Sequence, residues 1–425
     1  MRTQGMRVRA REGAWTRPSS FSRFHPLAFA LFILALFSTT RIQAQWDTLL
    51  LPFRALTIED GLSQGMVNAI IQDKYGFMWL ATKDGLNRYD GYSFTVFRHD
   101  PEDSATVRNN YIYALLEDEQ GRLWVGTAEG LDLFDRRTET FIHVQAGREH
   151  IRNIVQSIAQ DASGDLWVGH NHGVVKFTFT GGKGANGEPA CSSRNFLEST
   201  CFVSADRSGT IWVGQLDLAG FRITPEHMGN DRVDTLHLDR PAGRDRTGRD
   251  LYDLTGLTVV EDTINNRLFG LYMYGVVELE RGSTEVRTLS QVSPQLGQIR
   301  GANATVDEKG RLWIAVFTGI YRFDPEVRTW CLAMPTDQNL RPMAQLAKCS
   351  YRDRNGTLWL GTAGFGAFTY EPRTGRFHTV NTASCGRMVP LPDGRVLISY
   401  FDGFLNVFDP RSRSWPVSIR WNEKE

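Results

Sequence analysis

Asp118-Glu119-Gln120-Gly121-Arg122-Leu123-Trp124-Val125-Gly126 decides the fold, because the chain repeats this nonapeptide along its whole length. The pattern D-x-x-G-x-(apolar)-W-(V/L/I)-(G/A) recurs around Trp79 (from Asp73 to Ala81), Trp167 (Asp161 to Gly169) and Trp212 (Asp206 to Gly214). It appears again around Trp313 (Asp307 to Ala315) and Trp359 (Asp353 to Gly361). Two weaker copies fill the gaps: Glu261 to Gly270, with Phe269 in the tryptophan's place, and Pro392 to Ile398, which keeps Asp393-Gly394 and carries Leu397. Self-similarity at a fixed period is the signature of a repeat architecture. Six strong copies and two weak ones make eight repeats; the uneven spacing, 57 positions from Trp212 to Phe269 and 38 from Trp359 to Leu397, leaves seven as the alternative.

Outward from this core, the apolar residues alternate with period two, which describes strands. In the second repeat Tyr111 to Leu116 reads as a first strand, Arg122 to Gly126 as a second, Leu131 to Phe134 as a third and Thr140 to His143 as a fourth. A sheet of four short strands cannot bury both faces alone, whereas radial stacking about a channel buries them and leaves only short edges. The fold class is therefore all-β, a β-propeller of four-stranded antiparallel blades. The tryptophan position then has a packing role in every blade: Trp79, Trp124, Trp167, Trp212, Phe269, Trp313 and Trp359 form the structural blade core. Each large ring hides about 150–250 Å², or roughly 4–6 kcal/mol of apolar burial before entropy is counted against it. The aspartate serves the turn by accepting backbone hydrogen bonds and the glycine by tolerating positive φ. The segment from Phe53 to Ile58 precedes the first full repeat and is expected to pair with the last blade, joining the two ends of the chain.

Before the repeats come seven arginines and one acid within 44 residues, then an unbroken apolar run from Leu27 to Phe37 and a small residue at Ala44. As a helix, that run would rise about 16 Å, against a hydrocarbon core of about 30 Å. Residues 1–44 accordingly read as a signal peptide and 45–425 as the propeller domain, exported to the periplasm or beyond. From Gln45 onward no apolar stretch is long enough for a transmembrane helix, and 41 basic side chains face 47 acidic ones, a net charge of about −6. Without a basic run, that balance argues against nucleic acid or an anionic membrane as partner. Five cysteines occur with no C-x-x-C pair, so neither a metal site nor a cofactor is expected; Cys191 and Cys201 are near enough in sequence for a disulfide, and buried free thiols are the plainer reading.

The repeats resemble those of the two-component regulator propeller family, which carry an N-x-(V/I) strand, the D-x-x-G-x-L-W-(V/I)-G-T core and a G-L-x-x-(F/Y)-D continuation. Asn68 to Asp73, Trp79, Thr82 and Gly85 to Gly91 have this form, as do Asn110 onward and Gly130 to Asp135. Glu59-Asp60-Gly61-Leu62-Ser63 resembles the start of such propellers. The likeness implies the periplasmic sensing part of a hybrid two-component receptor, often responsive to oligosaccharides. It implies no kinase activity for this chain, which has neither a phosphoacceptor histidine motif nor a nucleotide-binding signature.

By strand alternation, loops between second and third strands share one face with the connections between blades, and that face is the expected binding surface. Its candidate ligand-binding residues are Lys83, Asp84, Glu129, His170, Asn171, His172, Asp217, Tyr272, Tyr274, Phe317, Phe365, Tyr400, Phe401 and Asp402. Aromatic faces beside carboxylates and amides suit sugar rings or a peptide. His170 and His172 lack a defined third ligand, and the repetition of Asp84, Glu129, Asp217 and Asp402 explains them better than a glycosidase acid and base would. Sialidase-type aspartate boxes place glycine two residues after aspartate, and the repeats of streptogramin-inactivating lyases continue W-F-T; neither matches here. The expected function is ligand sensing without catalysis, and the alternative is docking of a cell-envelope signalling protein.

Overall fold

In the computed structural model the described residues are 47–420, apart from 145–153, 184–188, 198, 216–219, 226–230, 240–242, 245–249, 252–253, 292–302, 317, 337–345, 372–384, 401–403 and 410–413. Each of the eight counted repeats forms an antiparallel sheet of four strands, to which the fifth repeat adds the parallel strand His237–Leu238 and in which the seventh takes its fourth strand from the chain start, and seven of the sheets close a ring. The inner strands that meet around the axis are Val67–Gln72, Ile112–Glu117, Val155–Gln160, Cys201–Ala205, Thr258–Asp262, Asn303–Val306 and Ala347–Arg352. The seventh packs directly on the first: Cys349 Sγ donates to the Val67 carbonyl at 3.7 Å, and Met66 bridges to Ala363.

Closure uses the start of the chain, at the seventh repeat and not at the eighth and last. Arg54–Leu56 lies antiparallel to Ala367–Tyr370 and supplies the outer strand of blade 7, while Asp47–Pro52 adds a fifth strand to blade 6. A short ladder, Gly243–Arg244 with Asp250–Leu251, occupies the long spacing between blades 4 and 5.

Every ring tryptophan wedges against the blade that follows it. Trp79 packs with Ile112, Leu123 and Phe134 of blade 2; Trp124 packs with Leu166, Val168 and Phe177 of blade 3. Trp359 of blade 7 packs with Leu56, Val67 and Leu80, so the same wedge also seals the ring. The turn aspartate does more than hold backbone. Its Oδ1 accepts the amides two and four residues on, while Oδ2 accepts the indole N–H six residues on: 2.8 Å from Trp79 to Asp73, 2.7 Å from Trp124 to Asp118, 2.8 Å from Trp167 to Asp161. The spacing of six is thus a hydrogen bond, and the buried carboxylate is further paired with a cation. Arg136 reaches Asp73 at 2.6 Å from the next blade, and Arg122 reaches Asp118 at 2.5 Å. A buried charge left without such partners would be strongly unfavourable.

The two weak copies fail in informative ways. Phe269 has no N–H to give, and Asn265 Nδ2 donates to Asp262 Oδ2 at 2.7 Å in its stead. In the eighth repeat the turn bonds start at Leu391, whose N–H donates to the Arg395 carbonyl as Asp73 does to Phe77. Leu391 and Leu397 therefore occupy the aspartate and tryptophan positions, and Asp393 falls within the turn. This sheet, of Cys385–Pro390, Val396–Tyr400, Phe404–Asp409 and Ser414–Arg420, contributes none of the inner strands that meet around the axis. Cys201, Cys331 and Cys349 are free thiols, so the suggested Cys191–Cys201 disulfide does not form.

Candidate functional site

On one face of the ring the turns between second and third strands are laced to the connections between blades. Gly85 N–H donates to the Asn110 carbonyl at 2.8 Å, Ala128 to Tyr111 at 2.9 Å and Ala363 to Leu346 at 2.7 Å. A threonine fixes each tight turn: Thr82 Oγ1 donates to the Gly85 carbonyl at 2.9 Å and accepts the Asp84 amide at 3.0 Å, and Thr127 does the same for Gly130 and Glu129. Lys83 and Glu129 are thereby held outward, exposed.

The remaining expected residues divide into several groups. Asp84 is engaged by Arg98 at 3.1 Å and Glu129 by Asn109 Nδ2 at 2.9 Å. His170 is buried, its Nδ1 accepting the His172 amide at 3.1 Å, and burial followed by the proximity of His172 depresses its pKa below 6.5. Asn171 lends its carbonyl to Thr200. Tyr272 is fully buried, with Tyr274 set edge-on at 6.3 Å, which makes the inner tyrosine a core residue. Phe365 is 47% exposed at the rim of blade 7. Tyr400 belongs to the eighth sheet, outside the ring of seven. Asp217, Phe317, Phe401 and Asp402 lie outside the described residues, as does the signal-peptide segment.

The ring encloses a channel of about 740 Å³ lined by residues from all seven inner strands. Small side chains, Ala69, Ala114, Ala159, Ala205 and Ala304, keep it open, and Asn68, Tyr113, Gln156, Gln160, Asn303 and Tyr351 make its wall polar. At its mouth, where blades 7, 1 and 2 meet on the laced face, the side chains converge. Tyr111 and Tyr113 stack face to face, 4.3 Å between centroids and 8° from parallel. Lys83 Nζ stands 5.8 Å from the Tyr111 ring centre, and the Tyr111 hydroxyl reaches Met66 Sδ at 3.6 Å. Lys348 Nζ donates to Asn68 Oδ1 at 2.7 Å, and Asn68 Nδ2 to the Ile112 carbonyl at 2.7 Å. Burial first, then the neighbouring Tyr111, pushes the Tyr113 hydroxyl up to about 12, so it remains a donor throughout the neutral range.

None of Asn68, Tyr111, Tyr113 and Lys348 was among the expected binding residues, because loops drew the search. The available signal was the pair of tyrosines spaced by two at the start of an inner strand, which puts both rings on the channel side. A bulge supplies the geometry: Val67 pairs with Thr82 but Ala69 with Ala81, so Asn68 is an extra residue, and Ile112/Ala114 and Ala347/Cys349 break register in the same way at Tyr113 and Lys348. Bulges of this kind re-aim side chains.

The two-component regulator propeller family matches residues 61–84 and 106–129, which hold the D-x-x-G core and the following turn of blades 1 and 2. These two stretches are similar to two-component regulator propeller repeats. A histidine kinase, P4, from Formosa agariphila is 42% identical over 77 residues, which is 18% of this chain and 6% of that one. The extracellular domain of a hybrid two component system from B. thetaiotaomicron superposes with a TM-score of 0.60 at 19% identity, covering 87% of this chain and 49% of the solved one. The chain thus spans about half the length of that domain. Virginiamycin B lyase from Staphylococcus aureus shares the fold at 12% identity over 75% of this chain, with a TM-score of 0.53. At those identities the likeness to solved structures is one of fold. Among the described residues, no helix is long and apolar enough to cross a membrane.

Proposed function

We propose that this propeller is the exported, non-catalytic sensing module of a two-component signalling receptor, that residues 1–44 are its signal peptide, and that it reads an oligosaccharide at the channel mouth of blades 7, 1 and 2. The observation that carries the reading is the parallel Tyr111–Tyr113 stack, rimmed by donors and amides over an open polar channel. Such a surface offers a sugar both a flat apolar platform for C–H groups and hydrogen-bond partners for hydroxyls. The receptor context comes from the repeat family and from the extracellular domain that shares the fold. Among the described residues, the candidate carboxylates of that face, Asp84 and Glu129, are engaged by Arg98 and Asn109.

A thermal-shift screen of the chain from Gln45 onward against plant and host oligosaccharides tests the reading. A ligand at 100 times its dissociation constant adds about 2.7 kcal/mol to stability, and Tyr111→Ala should abolish the shift. A well-folded protein whose melting temperature moves with no saccharide would refute it in favour of protein docking.

A further inference from the structure

We propose that the channel mouth selects acidic oligosaccharides, with Lys348 as the group that takes the ligand's carboxylate or sulfate. This rests on the oligosaccharide reading above and adds charge to it. Lys348 is the one charged side chain among the described residues that line the channel, and no carboxylate shares that wall. Its ammonium has three donors; one is given to Asn68 Oδ1 at 2.7 Å, and the other neighbouring acceptor is the weak Met66 sulfur at 3.9 Å. A half-buried cation that is offered only a neutral amide and a thioether is incompletely compensated, and an anion placed there would gain a charge-assisted hydrogen bond.

Lys83 adds a second positive charge across the same tyrosine, over the Tyr111 ring. Among the described residues neither lysine is paired with a carboxylate, whereas the nearby acids are already occupied: Asp84 by Arg98, Glu129 by Asn109 and Asp132 by Arg108 and His143. The contrast with the whole chain matters. From Gln45 onward the protein carries a net charge of about −6, which repels anions in general; a positive mouth on a negative body is a local device, and diffuse basicity cannot explain it.

The test is calorimetric titration with matched probes: trigalacturonate for the carboxylate, a heparin-derived tetrasaccharide for the sulfate, and galactotriose as the neutral partner. The expected result is binding of at least one acidic probe, weakening as salt is raised, with galactotriose bound at least tenfold more weakly. Lys348→Met should lower acidic affinity by about 10- to 100-fold, the loss of one charge-assisted bond, while Lys348→Arg keeps most of it. Should Lys348→Met fail to fold, exposed Lys83→Met is the second variant, with a smaller loss in the same direction. Neutral and acidic probes binding alike, with Lys348→Met unaffected, would overturn the charge assignment and leave the oligosaccharide reading standing. Binding of none would overturn both.

Discussion

Replacing Trp124 by alanine measures the blade wedge directly. The ring is fully buried between blades 2 and 3, against Leu131, Val155, Leu166, Val168 and Phe177. Removing it leaves a cavity that rigid sheets on both sides cannot close, a class of change that costs about 3–5 kcal/mol. The expected value lies in the upper half of that range, because Asp118 Oδ2 also loses the indole donor at 2.7 Å and keeps only Arg122. Trp124→Phe separates the two parts: it retains most of the volume and should cost about 1.5–3 kcal/mol, the worth of a hydrogen bond to a charged acceptor. Leu397→Ala, at the equivalent but half-exposed position of the eighth sheet, should cost about 1 kcal/mol, since less apolar surface is at stake. Urea unfolding followed by far-ultraviolet circular dichroism gives all three. A loss below about 1 kcal/mol for Trp124→Ala, or a Leu397→Ala loss equal to it, would refute the wedge argument.

Three further outcomes are expected. Burial opposes ionisation of Asp307, yet donors from Arg311 and Trp313 outweigh it and hold the carboxyl below 3.8; its stabilising contribution is therefore complete above that value and lost as pH falls through the lower folded pKa, and acid unfolding of Asp307→Asn should be correspondingly flatter there. Burial pushes the Cys201 thiol up to about 11 and Cys349 up to about 12, so peptide mapping after iodoacetamide at pH 8 should find half-buried Cys331 alkylated and those two protected. A Cβ on Gly65 would stand 2.2 Å from the Gly364 carbonyl oxygen across the seam between blades 7 and 1; Gly65→Ala should cost about 2 kcal/mol or more by forcing backbone apart, and an unchanged urea midpoint would contradict the seam.

The blade was legible because its determinants are local: a hydrogen bond spanning six residues from Asp73 to Trp79 writes itself into sequence spacing. The number of blades in the ring was less so, since Asp393-Gly394 imitates the turn while Leu391 and Leu397 hold the positions that matter. Loss of both partners together was the readable clue that this repeat contributes none of the inner strands. The site was least legible. Tyr111 and Tyr113 are close in sequence, but Lys348 and Asn68 are 280 positions apart and meet only because the ring closes, and the bulges that turn them toward the channel have no fixed residue code.

That closure also sets a timetable. Thr369 binds the Arg54 carbonyl across 315 positions, so at synthesis rates of about 5–20 residues per second Arg54–Leu56 waits some 15–60 seconds for its partner. Through that interval this early strand keeps an unpaired edge, the kind that recruits other chains. Six blades can stack as they emerge, but the ring closes only once blade 7 is made, and a chain without Arg54–Leu56 would close with that blade lacking its outer strand.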